Sequence, residues 1–194
     1  MAGINFHKRF SVGLALDSTP DEYEKLFSLY GDKIDNIYFS PPLGDRFHGR
    51  NKIADQFHSP EMQERFWEIL KVAASHDITL EVVLNTHLLE PGDIELTAEA
   101  FAKRGVALGK ICVQDSYYDE ARTVFSGCEF VHSVNCMPDD RDKILETAPL
   151  YDEYVVGRQY IRDEKLFAEI KQKGPRVVLL MNNGCSHWCG GCGE

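Results

Sequence analysis

The sequence predicts an α/β fold, a TIM-like (β/α) barrel of about seven parallel strands. Three observations lead there. Short β-branched apolar runs alternate with stretches of helical periodicity along the 194 residues, the pattern of a parallel sheet with right-handed crossovers. Several runs are apolar at nearly every position, Val82-Val83-Leu84 and Val177-Val178-Leu179-Leu180-Met181 among them, as expected of strands covered on both faces. No Gly-x-Gly-x-x-Gly follows the first run, so the alternative, a Rossmann-like sheet, lacks its fingerprint.

In chain order the expected strands are Phe10–Leu16, Ile34–Phe39, Thr79–Leu84, Lys110–Val113, Phe130–Val134, Glu153–Val156 and Arg176–Met181. Helices are expected between them. Ser18-Thr19-Pro20-Asp21 is an N-cap with an early proline, opening a helix over 21–29; Ser59-Pro60-Glu61 opens the next, to about residue 74, in the same way. Residues 95–104, 119–125, 140–147 and 163–173 complete the set. A full barrel takes ~250 residues. The expectation is therefore one domain over residues 1–194, a barrel incomplete or truncated at its C-terminal end, with a cysteine-rich metal-binding loop at 182–194.

Composition narrows the function. With 43% hydrophobic residues the chain can bury a sizeable core. Thirty-one acidic against 21 basic residues leave a net charge of −10, a surface that repels phosphate backbones and argues against broad nucleic-acid binding. No basic leader precedes an apolar stretch and no run of 18 apolar residues occurs, so neither a signal peptide nor a membrane span is expected and the reading is cytoplasmic. An even count of six cysteines invites disulfides, but the absence of a secretion signal argues against them, and the crowding of three into Cys185-Ser-His-Trp-Cys189-Gly-Gly-Cys192 favours a metal.

Barrels do their chemistry at the C-terminal ends of the strands. Those ends carry Ser40, Asn85, Thr86, Gln114, Asp115, Asn135, Cys136, Arg158, Asn182, Asn183 and Cys185. Any one of the Asn, Asp or Ser residues also suits a cap or turn; together they describe a polar mouth. Asp115, Arg158, Asn85 and Gln114 are the expected catalytic group, with Asp115 as proton acceptor. Asn135 and Asn182 are expected to face substrate. Arg46 and Arg50, in the loop after the second strand, offer planar forks for a carboxylate or phosphate, although a solvated surface loop accounts for them equally well. His48, His58, His87 and His132 have no ligand spacing and read as surface or packing residues.

The spacing Cys-x3-Cys-x2-Cys lets three thiolates converge on one metal centre, and Gly184, Gly190, Gly191 and Gly193 allow tight turns with amide N–H groups free for the sulfurs. A 4Fe-4S iron–sulfur cluster is the leading expectation. Zinc, which wants four nitrogen or sulfur ligands, is the alternative, with His187 between two of the cysteines. Cys136 is the candidate fourth ligand, though a free cysteine there also suits a small buried hydrophobe. An open fourth iron site fits equally and would accept a substrate or cofactor.

Asp35-Asn36-Ile37-Tyr38-Phe39 with Arg50 behind it, Val82-Val83-Leu84-Asn85-Thr86, Cys112-Val113-Gln114-Asp115, and Gly157-Arg158 together resemble the collagenase-like peptidase family in order and spacing, from about Asp35 to the last residue. The resemblance implies a TIM-like barrel whose better understood relatives are iron–sulfur proteins with four cysteine ligands. They act in oxygen-independent hydroxylation of RNA bases or of the ubiquinone ring, often in pairs. The tighter cysteine spacing resembles instead the cluster loop of radical S-adenosylmethionine enzymes, where the motif follows the first barrel strand. Its late position here favours the peptidase-like family. The expected function is thus an iron–sulfur enzyme acting on a small molecule or RNA base, alone or with a homologous subunit. A zinc-stabilised binding or scaffold barrel, a fragment of a radical enzyme using S-adenosylmethionine, and a peptidase are the alternatives. No Gly-x-Ser-x-Gly or His-Glu-x-x-His occurs, so the peptidase reading rests on the family name.

Overall fold

The computed structural model describes residues 9–43, 46–47, 59–84, 89–133 and 140–179, with the backbone alone at 42–43, 46–47 and 158. Seven strands form one sheet: β1 (Phe10–Gly13), β2 (Ile34–Phe39), β3 (Thr79–Val83), β4 (Lys110–Val113), β5 (Glu129–His132), β6 (Glu153–Val156) and β7 (Arg176–Leu179). They lie side by side in chain order, and every neighbouring pair is parallel. Between them run α1 (Pro20–Tyr30), α2 (Pro60–Ser75), α3 (Asp93–Arg104), α4 (Tyr118–Val124), α5 (Arg141–Thr147) and α6 (Glu164–Gln172). This is the predicted TIM-like α/β arrangement. Among the described residues the sheet is open between β1 and β7. A short ribbon, Pro42–Leu43 against Arg46–Phe47, stands apart from it.

Parallel strands joined by right-handed crossovers put all their helices on one face. Toward that face point Ile37, Phe39, Leu80, Val82, Ile111, Val113, Phe130 and Tyr154, all at most 5% exposed. Phe39 meets Phe66 edge-on with ring centroids 5.3 Å apart and stacks on Phe101 at 5.8 Å; Trp67 packs on both, and the Arg104 guanidinium covers it at 5.2 Å. Near the strand beginnings the other face is polar instead. Ser11 Oγ donates to Asn36 Oδ1 (2.7 Å), and Asn36 Nδ2 donates to Glu81 (2.5 Å). Lys110 Nζ donates to Asp35 (2.5 Å) and Glu153 (2.9 Å), and Arg176 reaches Glu153 and Glu129. This ladder involves the strand beginnings Asp35, Lys110, Glu129, Glu153 and Arg176, the end of a barrel where residues serve stability.

The helix starts follow their caps. Thr19 and Glu22 form a reciprocal capping box, Ser59 Oγ accepts from the Met62 amide (3.1 Å), and Asp140 and Asp163 cap α5 and α6. Two boundaries differ from expectation for local reasons. β1 stops at Gly13, not residue 16, because the Ala15 amide donates to the Tyr23 hydroxyl (2.7 Å) and the chain turns there. α3 starts at Asp93, two residues early, because Gly92 adopts φ 87° and the Asp93 carboxylate accepts from the Glu90 amide (2.7 Å). No helix among the described residues is long and apolar enough to cross a membrane.

Candidate functional site

Because the strands are parallel, Phe39, Val83, Val113, His132, Val156 and Leu179 end on one rim. Just beyond β4 the backbone tightens into a short turn, Asp115–Tyr117, with the Gln114 carbonyl accepting from the Tyr117 amide (3.1 Å). That turn lifts the Asp115 carboxylate to the surface, where its side chain is 40% exposed. It does not stand free. The Tyr151 hydroxyl donates to its Oδ1 at 2.6 Å. Tyr151 precedes β6 and packs edge-on to Tyr118 of α4, so the phenol comes from the helix layer.

Behind this pair lies His132, the last residue of β5, fully buried. Its ring stacks on Tyr154 with centroids 4.1 Å apart and planes 5° from parallel, and it meets Tyr151 edge-on at 5.0 Å. Nε2 is 3.8 Å from Asp115 Oδ1, too far for a hydrogen bond. Neither ring nitrogen has a hydrogen-bond partner among the described residues. A buried polar group in that condition costs about 1–3 kcal/mol, so the imidazole calls for an explanation.

Electrostatics follow burial. Desolvation holds the His132 pKa down at about 4, with the Asp115 charge pulling the other way, so the ring is neutral near pH 7. Burial, reinforced by the hydrogen bond to Asp115, pushes the Tyr151 phenol well above its ordinary range. Tyr154 rises to about 12, again chiefly through burial; its hydroxyl lies 3.3 Å from Thr147 Oγ1. The result is a neutral aromatic–imidazole wall behind one half-exposed carboxylate. Such a group can accept a hydrogen bond or a proton from a molecule at the rim.

Of the residues expected to act, Asp115 and Gln114 stand together on this rim, with Gln114 half-buried. Arg158 opens the turn Arg158–Tyr160 after β6, and Arg46 lies in the short ribbon. Asn85, Arg50, Asn135, Asn182, Cys136, Cys185, Cys189 and Cys192 lie outside the described residues. Among the described residues no group of three His, Cys, Asp or Glu could hold a metal; Cys112 is buried, and the Cys128 thiol donates to the Leu108 carbonyl (3.2 Å). Sequence reasoning missed Tyr151 and treated His132 as surface or packing. The available signal was a histidine closing an apolar strand, four residues before Cys136.

No family model matches the chain, and none of the curated proteins does. Solved structures do. A U32 peptidase aligns over 92% of this chain and 70% of its own at 14% identity, with a TM-score of 0.55. A tryptophan synthase complex from Pyrococcus furiosus aligns over 88% and 76% at 14% identity and TM-score 0.48. A psychrophilic family 10 endo-β-1,4-xylanase covers 84% and 56% at 15% identity and TM-score 0.44. At such identities the likeness is one of fold, carried by the U32 peptidase.

Proposed function

We propose that this chain is an iron–sulfur enzyme of the collagenase-like peptidase family, acting on a substrate held at the C-terminal rim of the barrel. The observation that carries this reading is the position of Cys185, Cys189 and Cys192 in the sequence: the first follows Leu179, the last residue of β7, by six residues. Six residues span at most ~20 Å, and Cys136, four residues beyond His132, is tethered within ~14 Å of β5. β5 and β7 are two strands apart on the same rim, about 10 Å at the usual spacing. Chain length therefore lets Cys136 and Cys185 approach one another, with Cys189 and Cys192 close behind Cys185 in sequence, and the fold likeness to a U32 peptidase supports the same reading.

The donor set suits the group: three clustered thiolates hold a 4Fe-4S cluster, with Cys136 as a fourth ligand or an open iron for a cofactor such as S-adenosylmethionine. When bound, the cluster supplies one-electron chemistry. The chain's own residues do the rest. Asp115 accepts a hydrogen bond or proton from substrate, Gln114 and Asn85 orient it, and Arg158, with Arg50 and Arg46, pairs with an anionic group. Asn135 and Asn182 complete the lining. The reaction class is oxygen-independent hydroxylation, or a related modification, of a small molecule or an RNA base, with residues 1–194 as one domain and a homologous subunit as partner.

Anaerobic reconstitution with iron and sulfide tests this. A broad visible absorption is expected in the wild type and its loss in the Cys185→Ala/Cys189→Ala/Cys192→Ala variant. Absorption that survives the triple replacement overturns the ligand assignment. A second reading is favoured by His187 between two cysteines: zinc bound by three thiolates and this imidazole, pinning the end of a binding or scaffold barrel. In that case chelation lowers the melting temperature and no iron is taken up. The peptidase reading has only the neighbour's name behind it.

A further inference from the structure

We propose that Tyr151 and His132 are positioning residues for Asp115, holding its carboxylate at the rim with Oδ2 turned to a substrate that offers an N–H donor or a planar cation. This deepens the rim reading and rests on it. Three features of the site carry the inference. The hydrogen bond from Tyr151 engages Oδ1 at 2.6 Å, while Oδ2 has no partner among the described residues and the side chain is 40% exposed. One oxygen is fixed and the other is presented.

The second feature is the unpartnered imidazole, wholly buried and 3.8 Å from the same Oδ1. A hydrogen-bonding group without a partner is retained at a cost, and the Asp115 carboxylate stands 3.8 Å from it. A neutral imidazole carries one N–H, and the field of Asp115 favours that proton on Nε2. A contraction of about 1 Å, of the kind that tightens polar contacts when a substrate binds, turns 3.8 Å into a hydrogen bond. The third feature is rigidity. The imidazole is clamped between Tyr154 and Tyr151, and the Tyr118 hydroxyl is tied to the Leu150 carbonyl beside Tyr151. The described rings packed on Tyr151 are those of Tyr118, His132 and Tyr154, and the carboxylate itself is an acceptor. The chemistry therefore selects a donor, such as an amino group, an amidine or the N–H edge of a heterocycle. If that donor is acidified during reaction, its proton passes to Oδ2, the bonding pair stays on the substrate, and the acid formed returns the proton to product.

The test uses the whole protein with 15N-labelled histidine, assigned by loss of one signal in His132→Gln, at neutral pH. In the wild type Nε2 is expected to give the protonated, pyrrole-type signal and Nδ1 the pyridine-type signal. Asp115→Asn should redistribute the two tautomers, and Tyr151→Phe should leave Nε2 protonated, with the freed Oδ1 now able to accept from it. Methylguanidinium is then titrated while the same signals are followed. A saturable shift is expected in the wild type, weakened about tenfold in Asp115→Asn, as the loss of a charge-assisted bond predicts, and by a smaller factor in Tyr151→Phe. Protonation on Nδ1 in the wild type, or identical tautomers in all three proteins, overturns the positioning role. Equal methylguanidinium shifts in wild type and Asp115→Asn overturn the presented Oδ2. None of these signals depends on iron, so failure here and failure of cluster assembly are separate results.

Discussion

At the residue scale, two buried ionisable groups give the molecule opposite responses to pH. His132 has its folded pKa held at about 4 by burial against 6.5 when unfolded. Its contribution is intact above pH 6.5 and is lost as pH falls toward 4, up to about 3 kcal/mol. Glu81 behaves in reverse. Burial raises its pKa from 4.5 to about 7, with Glu153 and Asp35 adding to the rise and Lys110 and Asn36 opposing it. Its stabilising effect is complete below pH 4.5 and disappears as pH rises through 7. Between pH 4.5 and 6.5 the two slopes oppose each other. Urea titrations across that range should show a shallow dependence in the wild type. In Glu81→Gln they should show a clear fall in stability toward acid, and an unchanged profile in that variant would refute the opposition. Lys110 is the other residue of consequence. Its side chain is 4% exposed and bridges two carboxylates, so Lys110→Ala strands buried charge and should cost about 3–5 kcal/mol in the same titration.

At the scale of elements, capping decides what could be read from sequence. Thr19, Ser59, Asp140 and Asp163 announce their helices by side chains that accept hydrogen bonds from the first turn, and such signals are local. The strands were legible for a different reason: burial on the helix face demands apolar residues at Ile37, Val82 and Ile111, whatever faces the concavity. What the sequence hid depends on long-range pairing. The Tyr23 hydroxyl ends β1 eight residues away, and Tyr151 reaches Asp115 across 36 residues; neither leaves a mark in periodicity. Helix ends offer a clean check. α2 finishes in a Schellman motif, with the Asp77 amide bonded to the Ala74 carbonyl and the Ile78 amide to that of Ala73. Asp77 therefore sits at φ 57°, a conformation that glycine adopts without strain. Asp77→Gly should raise stability by about 0.5–1 kcal/mol, read as a higher melting temperature. Gly105→Ala, at φ 65° after α3, should lower it by about 1 kcal/mol.

At the scale of the whole molecule, the two ends of the strands divide the labour. The beginnings carry the ionic ladder from Asp35 to Arg176 and close off one end of the concavity with paired charge. Among the described residues the other ends present the Asp115 carboxylate beside Tyr151 and the buried His132 ring, and from β5 and β7 the chain runs on toward Cys136 and Cys185. A parallel sheet makes this division possible, because parallel strands deliver every C-terminal end to one rim. The barrel-like order of strands and the rim position of Asp115 were predictable from the alternation of elements alone. The partners of Asp115 were not, since they come from the far side of a neighbouring strand and from the start of the next.

Metal at the cysteine cluster is decided by elemental analysis of anaerobically purified protein. Iron and acid-labile sulfide are expected in near-equal amounts, about four of each per chain for a 4Fe-4S cluster, and both should be lost when Cys185, Cys189 and Cys192 are replaced by alanine. Zinc alone, or no metal in a folded protein, would contradict the iron–sulfur reading.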